Sequence, residues 1–447
     1  MSVLTGGQSL SGDHAVNEDA LMRRITLRVV PLTVLIYLIA IIDRANVGFA
    51  KLQMVSDLHM TEQLYGLASS LFFIGYLSLE IPSALAVHRF GARTWFARIL
   101  LTWGLFTIAG AWVSSGSMFA ALRFLVGCAE AGAYPGIIYY FTLWFPKTYR
   151  ARVLGFLTLG SAFGNMFGSL VSGALLDLDG TLGLSGWQWV FIATGFPAIV
   201  LTPIVLAFLP NVPAKATFLS DAEKAWLLAE MSRESTPAHV GNPFTAIWDR
   251  RVLLLSFTYM LILASLYGVI YWLPTVVKAF GATGTQNGIL SSIPWMIAAV
   301  FLIILPRRLR QERVVLTAMV VISALGLVCF YLSTTVPENW MRLVAMSIGT
   351  PCISLLFPCL WFLPSLFFTG TRAATAIATI STIGNLGGFF AQNAMPWVAQ
   401  AAGAAVAAML VPSICLTGVG ILAIYMRTRG FGSEPSLSAL PDTAAGR

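Results

Sequence analysis

Ile36-Tyr37-Leu38-Ile39-Ala40-Ile41-Ile42-Asp43-Arg44-Ala45-Asn46-Val47-Gly48-Phe49 sets an acid beside a base near the end of a run apolar enough to cross a bilayer. A charge at mid-membrane costs about 2.5–3.5 kcal/mol on insertion scales. Spans that carry such residues turn them toward a bundle interior or a water-filled path. The pair therefore calls for a surrounding bundle, and the rest of the chain supplies one.

The whole chain is 57% hydrophobic and only 10% charged, with a mean hydropathy of +0.80. Soluble domains carry about 25% charged residues, so the composition describes an all-α polytopic membrane protein. The net charge of +8 points to no nucleic-acid partner here, because in a membrane protein the placement of charge matters more than its sum. Cys128, Cys329, Cys352, Cys359 and Cys415 all fall in apolar runs without metal-ligand spacing and read as reduced packing residues. Residues 1–22 are polar and lack the apolar core of a signal peptide.

Apolar runs long enough to span occur near 28–49, 64–87, 95–113, 118–140, 152–175 and 187–209, then near 252–275, 287–306, 313–333, 341–363, 373–397 and 402–426. The spacing predicts an N-terminal tail over 1–27 and a six-helix bundle over 28–209. A linker over 210–250, a second bundle over 251–427 and a C-terminal tail over 428–447 follow. With the N-terminus inside, 22 of the 27 Lys and Arg lie in cytoplasmic segments, and the outer loops hold only Lys51, Lys278 and Arg342. The positive-inside rule then places both termini in the cytoplasm and supports an even number of spans. In the linker, Ser220-Asp221-Ala222-Glu223 fits a capping box ahead of an apolar face (Ala225-Trp226-Leu227-Leu228, then Met231), predicting a short amphipathic helix on the inner membrane surface.

The two halves echo each other. Gly66-Leu67-Ala68-Ser69-Ser70-Leu71 recurs as Gly288-Ile289-Leu290-Ser291-Ser292-Ile293. Gly164-Asn165-Met166-Phe167-Gly168 recurs as Gly384-Asn385-Leu386-Gly387-Gly388, and Leu143-Trp144-Phe145-Pro146 resembles Leu360-Trp361-Phe362-Leu363-Pro364. All three offsets are close to half the chain. Pseudo-symmetric six-helix halves with a site at their interface describe a secondary transporter.

Five ionisable residues fall inside spans, all in the first half: Asp43, Arg44, Glu80, Arg123 and Glu130. Arg123 and Glu130 are seven residues apart, hence on one helix face and about 10.5 Å apart along the axis. Arg keeps its proton and offers a planar fork to a carboxylate, so Arg44 or Arg123 suits an anion. For Asp43 and Glu130, burial favours the neutral form and a neighbouring Arg the ionised one, the balance a proton carrier needs. An anion that takes the Arg removes the acid's partner and favours its protonation, which couples the two cargoes. Alternatively, Asp43–Arg123 or Arg44–Glu130 pair only to hold helices, although buried pairs stabilise weakly. Glu80, near the cytoplasmic end of its span and close in sequence to Arg89 and Arg93, reads as part of a gating ion pair. Tyr76, Asn165, Tyr267, Trp361 and Asn385 complete the candidate cavity, amides for hydroxyls and aromatics for an apolar wall.

The first span, Asp43-Arg44-Ala45-Asn46-Val47-Gly48-Phe49-Ala50, resembles the signature of the anion:cation symporters within the major facilitator superfamily. So does the fourth, Arg123-Phe124-Leu125-Val126-Gly127-Cys128-Ala129-Glu130-Ala131-Gly132-Ala133-Tyr134-Pro135-Gly136 with Trp144-Phe145-Pro146 after it. Phe72-Phe73-Ile74-Gly75-Tyr76, Glu80-Ile81-Pro82-Ser83, Arg89-Phe90-Gly91-Ala92-Arg93 and Gly384-Asn385-Leu386-Gly387-Gly388-Phe389 continue the likeness over nearly the whole chain. The resemblance implies the major facilitator fold and proton-driven uptake of organic anions such as sugar acids, tartrate-like acids and aromatic carboxylates. It implies proton coupling at Asp43 and Glu130, charge or anion contacts at Arg44 and Arg123, and cavity positions at Tyr76 and Asn385. This chain departs from the family at Ala84, at Trp187-Gln188-Trp189 and at Thr194-Gly195, where Asn, Trp-Arg-Trp and Glu-Gly are frequent. On the sequence alone these departures lie away from the proton site.

The expected function is a proton–organic anion symporter of the inner membrane, carrying a small organic anion and protons within a lipid bilayer, as a monomer and with no cofactor beyond the proton gradient. The alternative is an exporter or anion exchanger of the same superfamily. Many proton-driven exporters carry a Gly-Pro motif on span five, and here Gly160, Gly164, Gly168 and Gly173 occur with no such step. An enzyme is disfavoured: the chain has no nucleophile elbow, phosphate-binding loop or metal-binding His/Cys cluster.

Overall fold

In the computed structural model, residues 17–234, 248–304, 311–364 and 370–429 are described, the side chains of 151 and 370–374 excepted. Of the predicted segments, 1–16 of the N-terminal tail, 235–247 of the linker and 430–447 of the C-terminal tail lie outside them, as do Arg307, Arg308 and Arg310. The first half comprises α1 (Glu18–Asp57), α2 (Glu62–Phe90), α3 (Ala92–Ala109), α4 (Gly116–Glu130), α5 (Ala133–Trp144), α6 (Lys147–Leu176) and α7 (Gly186–Phe208). The linker carries α8 (Asp221–Glu234). The second half comprises α9 (Arg250–Lys278), α10 (Gly284–Ile304), α11 (Glu312–Thr335), α12 (Asn339–Phe362), α13 (Gly370–Ala402) and α14 (Leu410–Thr428).

Among the described residues, ten helices are long and apolar enough to cross a membrane. The other two of the twelve crossings depart from that pattern for separate reasons. The fourth is broken into α4 and α5 at Ala131–Gly132, where Gly132 has φ +82°, a left-handed conformation that only glycine adopts without cost. Ser83 fills the break: its hydroxyl donates to the Ala131 carbonyl at 2.6 Å and accepts from Trp95 Nε1 at 2.8 Å. The eleventh, α13, has the length but dilutes its apolar residues with Thr, Ser, Asn and Gly.

The first helix begins earlier than its apolar run. Asn17 caps it, accepting from the Ala20 amide at 3.1 Å, and the buried Leu21, Met22 and Ile25 carry it through residues expected to be tail. At its other end α1 continues to Asp57, so Lys51, expected in an outer loop, is a helical residue. In the linker, the capping box forms as the spacing predicts. The Ser220 amide donates to Glu223 Oε2 at 2.9 Å and the Glu223 amide to Ser220 Oγ at 3.2 Å.

The internal repeat reappears as matched packing. Gly66 of α2 lies against the Gln392 backbone of α13, and its repeat partner Gly288 of α10 lies against the Ser169 carbonyl of α6. Likewise Gly164 of α6 packs on Ile41 of α1, while Gly384 of α13 packs on Tyr259 of α9. Spans two and eleven, eight and five, one and five, and seven and eleven thus meet through equivalent glycines. This is the contact pattern of two six-helix halves built alike.

The halves meet where α1 packs on α9, α2 on α13 and α6 on α10. The described ends, at the start of α1 and the end of α14, lie on one face, called here the terminal face. On the opposite, far face these three seams are shut. A methyl added at Gly48 would fall 2.8 Å from the Ile270 carbonyl oxygen, and one at Gly173 2.7 Å from the Gly288 nitrogen. Gln63 hydrogen-bonds Gln400 across the α2–α13 seam.

Candidate functional site

Successive helical residues diverge by about 100°, and Asp43 and Arg44 accordingly serve different neighbours. Asp43, 1% exposed, turns into its own half. Its Oδ2 accepts from Trp103 Nε1 of α3 at 2.9 Å and its Oδ1 from Asn46 Nδ2 at 3.0 Å. Asn46 Nδ2 also donates to Thr194 Oγ1 of α7 at 2.7 Å, and that hydroxyl donates to the Val190 carbonyl at 2.8 Å. Both carboxylate oxygens are thus held by neutral donors on helices of the same half. Thr194, which the sequence reading put away from the proton site, belongs to the network around Asp43. The i, i+3 spacing of Asp43 and Asn46 was a usable signal for Asn46; nothing local announced Trp103.

Arg44 turns toward the second half. Its Nε and Nη2 donate to Glu130 Oε1 at 2.8 and 2.5 Å, and its Nη1 donates to the Tyr267 hydroxyl of α9 at 2.7 Å. Its guanidinium carbon lies 5.2 Å from the centroid of the Phe72 ring and 5.1 Å from that of Tyr76. Glu130 is the last residue of α4, immediately before the break, and is fully buried. Its Oε2 has no hydrogen-bond partner. A charge-assisted bond on one carboxylate oxygen and a free second oxygen leave room for a proton without dismantling the site.

Arg123 is 2% exposed, and its Nε and Nη2 have no hydrogen-bond partner. Its guanidinium carbon lies 4.8 Å from the Phe72 centroid, so one ring is shared by both arginines. No ion pair between Asp43 and Arg123 forms among the described residues; the ion pair at this centre is Arg44–Glu130. A buried guanidinium with unfilled donors is costly and suits an anionic oxygen.

Aromatic rings continue from this centre into the second half. Tyr267 meets Phe73 edge-on at 4.7 Å and Tyr271 at 5.9 Å. Tyr259 packs on Trp361 at 5.1 Å, and Tyr37 on Tyr134 at 5.3 Å. Tyr76 and Tyr267 join the Arg44 centre directly. Asn165 is buried, donates to the Ser161 carbonyl at 3.0 Å and keeps its Oδ1 unpartnered. Trp361 and Asn385 are half-buried, Trp361 against Tyr259 and Asn385 beside the glycine pair that seats α13 on α9.

The expected ion pair of Glu80 with Arg89 or Arg93 is absent among the described residues. Glu80 is 6% exposed and about 13 Å along the axis from Arg89; it faces Ser381 of α13. Arg93 instead fastens the end of α7, its Nε donating to the Leu209 carbonyl at 2.6 Å and its amide to Asn211 Oδ1 at 2.9 Å. Arg89 is exposed beside Phe90.

Two further polar clusters fasten the far face. Lys51 of α1, 4% exposed, pairs with Glu62 Oε2 at 2.5 Å, donates to Thr275 Oγ1 of α9 at 3.3 Å and sits over the Trp272 ring. Asp177, at the end of α6, accepts from the Gly284 and Thr285 amides at 2.9 and 2.8 Å and from the Thr285 hydroxyl at 2.5 Å. It thereby caps α10 of the other half.

Residues 33–392 match the Major Facilitator Superfamily. The chain belongs to that family. It is 40% identical over 376 residues to a quinolone resistance transporter of Acinetobacter baumannii, covering 83% of this chain and 87% of that one. It is 37% identical over 391 residues to a putative tartrate transporter of Agrobacterium vitis, covering 86% and 90%. Among solved structures, the inward open conformation of the xylose transporter XylE from E. coli superposes with a TM-score of 0.71 at 15% identity, covering 91% of this chain and 95% of that one. That last likeness establishes the shared fold. The chain is a multi-pass membrane protein of a transporter family and not an enzyme.

Proposed function

We propose that this protein is a proton-coupled secondary transporter that imports a small organic carboxylate by alternating access of its two halves. The observation that carries the reading is the position of Arg44. One guanidinium is shared between Glu130 of the first half and Tyr267 of the second, while Glu130 Oε2 stands unpartnered. An incoming carboxylate that takes the Arg44 fork removes the countercharge of Glu130. A buried carboxylate without its cation takes up a proton rather than remain charged in a low-dielectric site. Anion and proton then occupy the centre together, and release of one favours release of the other.

In this reading Glu130 and Asp43 carry protons, and Arg44 and Arg123 receive the anion. Tyr76, Asn165, Tyr267, Trp361 and Asn385 shape the rest of the substrate, and Glu80, Arg89 and Arg93 act on the terminal-face gate. The excess of Lys and Arg on the terminal face supports a cytoplasmic position for that face in an inner membrane. The likeness to a putative tartrate transporter supports a carboxylate substrate.

The second reading is export, favoured by the 40% identity to a quinolone resistance transporter. Proteoliposomes with an imposed pH gradient separate the two. Import by symport requires that a labelled organic acid accumulate when the outside is acidified and that an uncoupler abolish the accumulation. Glu130→Gln should lose accumulation yet keep substrate counterflow. Normal accumulation by Glu130→Gln would remove Glu130 from coupling, and accumulation only against the opposite gradient would favour export.

A further inference from the structure

On the terminal face, where the ends of α1, α3 and α7 meet the start of the linker, lies a cavity of about 670 Å³ that the central site does not use. Arg28, Arg93 and Lys215 line it, and none of its ten lining residues is acidic. Arg28 and Lys215 are exposed, and no ion pair to any of the three forms among the described residues. Three cations around one hollow with no carboxylate among them make a basin of positive potential.

The walls are fixed rather than incidental. Arg93 binds the Leu209 carbonyl and Asn211 Oδ1, which leaves its two terminal nitrogens and the Asn211 amide nitrogen for a ligand. Tyr140 donates to the Pro210 carbonyl at 2.5 Å. Trp144 stacks on Phe218 at 5.9 Å, and the Arg28 guanidinium carbon lies 5.8 Å from the centroid of that same Phe218 ring.

The rim differs from the floor. Phe208, the last residue of α7, lines the cavity and is 71% exposed. A membrane span ends at Phe208, which is the depth at which an apolar side chain can meet acyl chains and nearby cations can meet headgroups. A soluble anion has no use for that apolar rim. An amphiphile with a charged head does.

We propose that this cavity binds the phosphate of an anionic phospholipid, with Arg28, Arg93 and Lys215 on the headgroup and Phe208 against the first acyl carbons. The bound lipid ties the linker strap 209–218 to α1 and α3. Basic pockets at the ends of membrane helices take such headgroups, each nearby Lys or Arg adding to the attraction.

The test uses the full-length purified protein in detergent, titrated separately with phosphatidylglycerol, phosphatidylcholine and inorganic phosphate while thermal unfolding is followed. Phosphatidylglycerol should raise the unfolding temperature saturably, and the other two should not. Arg28→Gln combined with Lys215→Gln should weaken the apparent phosphatidylglycerol affinity about 25-fold. Arg313→Gln, an exposed cation of the second half, should leave it unchanged. Lys215→Gln alone, on an exposed side chain, gives the same comparison at about fivefold if the double variant folds poorly. An unaltered phosphatidylglycerol response in either cavity variant overturns the site. An equal response to inorganic phosphate overturns the lipid assignment, and an equal response to phosphatidylcholine overturns the role of charge.

Discussion

The Nζ of Lys51 lies 3.3 Å from the centroid of the Trp272 indole, a cation of the first half resting on an aromatic face of the second. With 4% of Lys51 exposed, water does not screen the contact, and desolvated cation–π pairs reach about 2 kcal/mol. Alternating access requires this contact to part whenever the far face opens. Lys51→Met keeps the length and removes the charge, so it should shift the balance toward the open far face by about tenfold. The measurement is the labelling rate of a single cysteine placed at Gln63, on the α2–α13 seam, by a membrane-impermeant maleimide. An unchanged rate would mean that Lys51 does not hold that face shut.

The contact between Arg44 and Tyr267 makes a separate prediction at the centre. Tyr267→Phe removes the hydroxyl that accepts from Arg44 Nη1 but keeps the ring against Phe73. A hydrogen bond to a charged donor is worth about 1.5–3 kcal/mol, so freeing that donor alters how strongly Arg44 holds a substrate carboxylate. The half-saturating substrate concentration should change by at least about fivefold while the protein keeps its unfolding temperature within about 2 °C. Unaltered transport kinetics would place Tyr267 outside the anion's path.

Much of this is legible in the sequence. Twelve crossings followed from hydropathy, and the doubled glycine motifs anticipated the paired packing of Gly66 with Gly288 and of Gly164 with Gly384. Arg44 and Glu130 stood out because charge inside a span is costly. The break after Glu130 was not anticipated: hydropathy reads 118–140 as one continuous span, and the turn at Ala131-Gly132 is completed by Ser83, 48 residues earlier in the chain. Other features depend on rotation about a helix axis and on packing between distant segments. No local pattern says that Asp43 turns inward to Trp103 while Arg44 turns outward to Tyr267. Lys51 escaped because counting charges treats each polar span end as a loop, whereas its neighbours Glu62 and Trp272 make burial tolerable there.

The network behind Asp43 predicts what its removal does. Trp103→Phe leaves Asp43 Oδ2 without its donor in a site that is 1% exposed. Stranding a buried acceptor costs about 1–3 kcal/mol, and the smaller ring adds a cavity. The unfolding temperature should fall by several degrees. If Asp43 carries protons, uptake should lose maximal rate with little change in half-saturating concentration, because Trp103 touches the acid and not the Arg44 centre. Asn46 and Thr194 belong to the same chain of bonds, so Thr194→Val should move transport in the same direction by a smaller amount. Wild-type kinetics in both variants would detach this network from coupling.

Asp177 supplies the pH-dependent prediction. Its bond from the Thr285 hydroxyl, with the Thr285 and Gly284 amides and the Lys278 charge, holds its carboxyl below the usual value of 3.8 against the opposing effect of burial. Because opening the far face would separate α6 from α10 and break this cap, ionisation is expected to favour the closed state. The sign follows: the contribution is present in full above the free-carboxyl value and is lost as pH falls through the lowered value of the closed state. Asp177→Asn should therefore label faster than wild type at the Gln63 cysteine near pH 7. The two proteins should converge only when the far-side medium is taken below about pH 4. Asp177 is exposed, so the effect should be modest and should shrink in high salt. Identical labelling of Asp177→Asn and wild type at neutral pH, in low salt, would show that the α6–α10 cap does not contribute to closure.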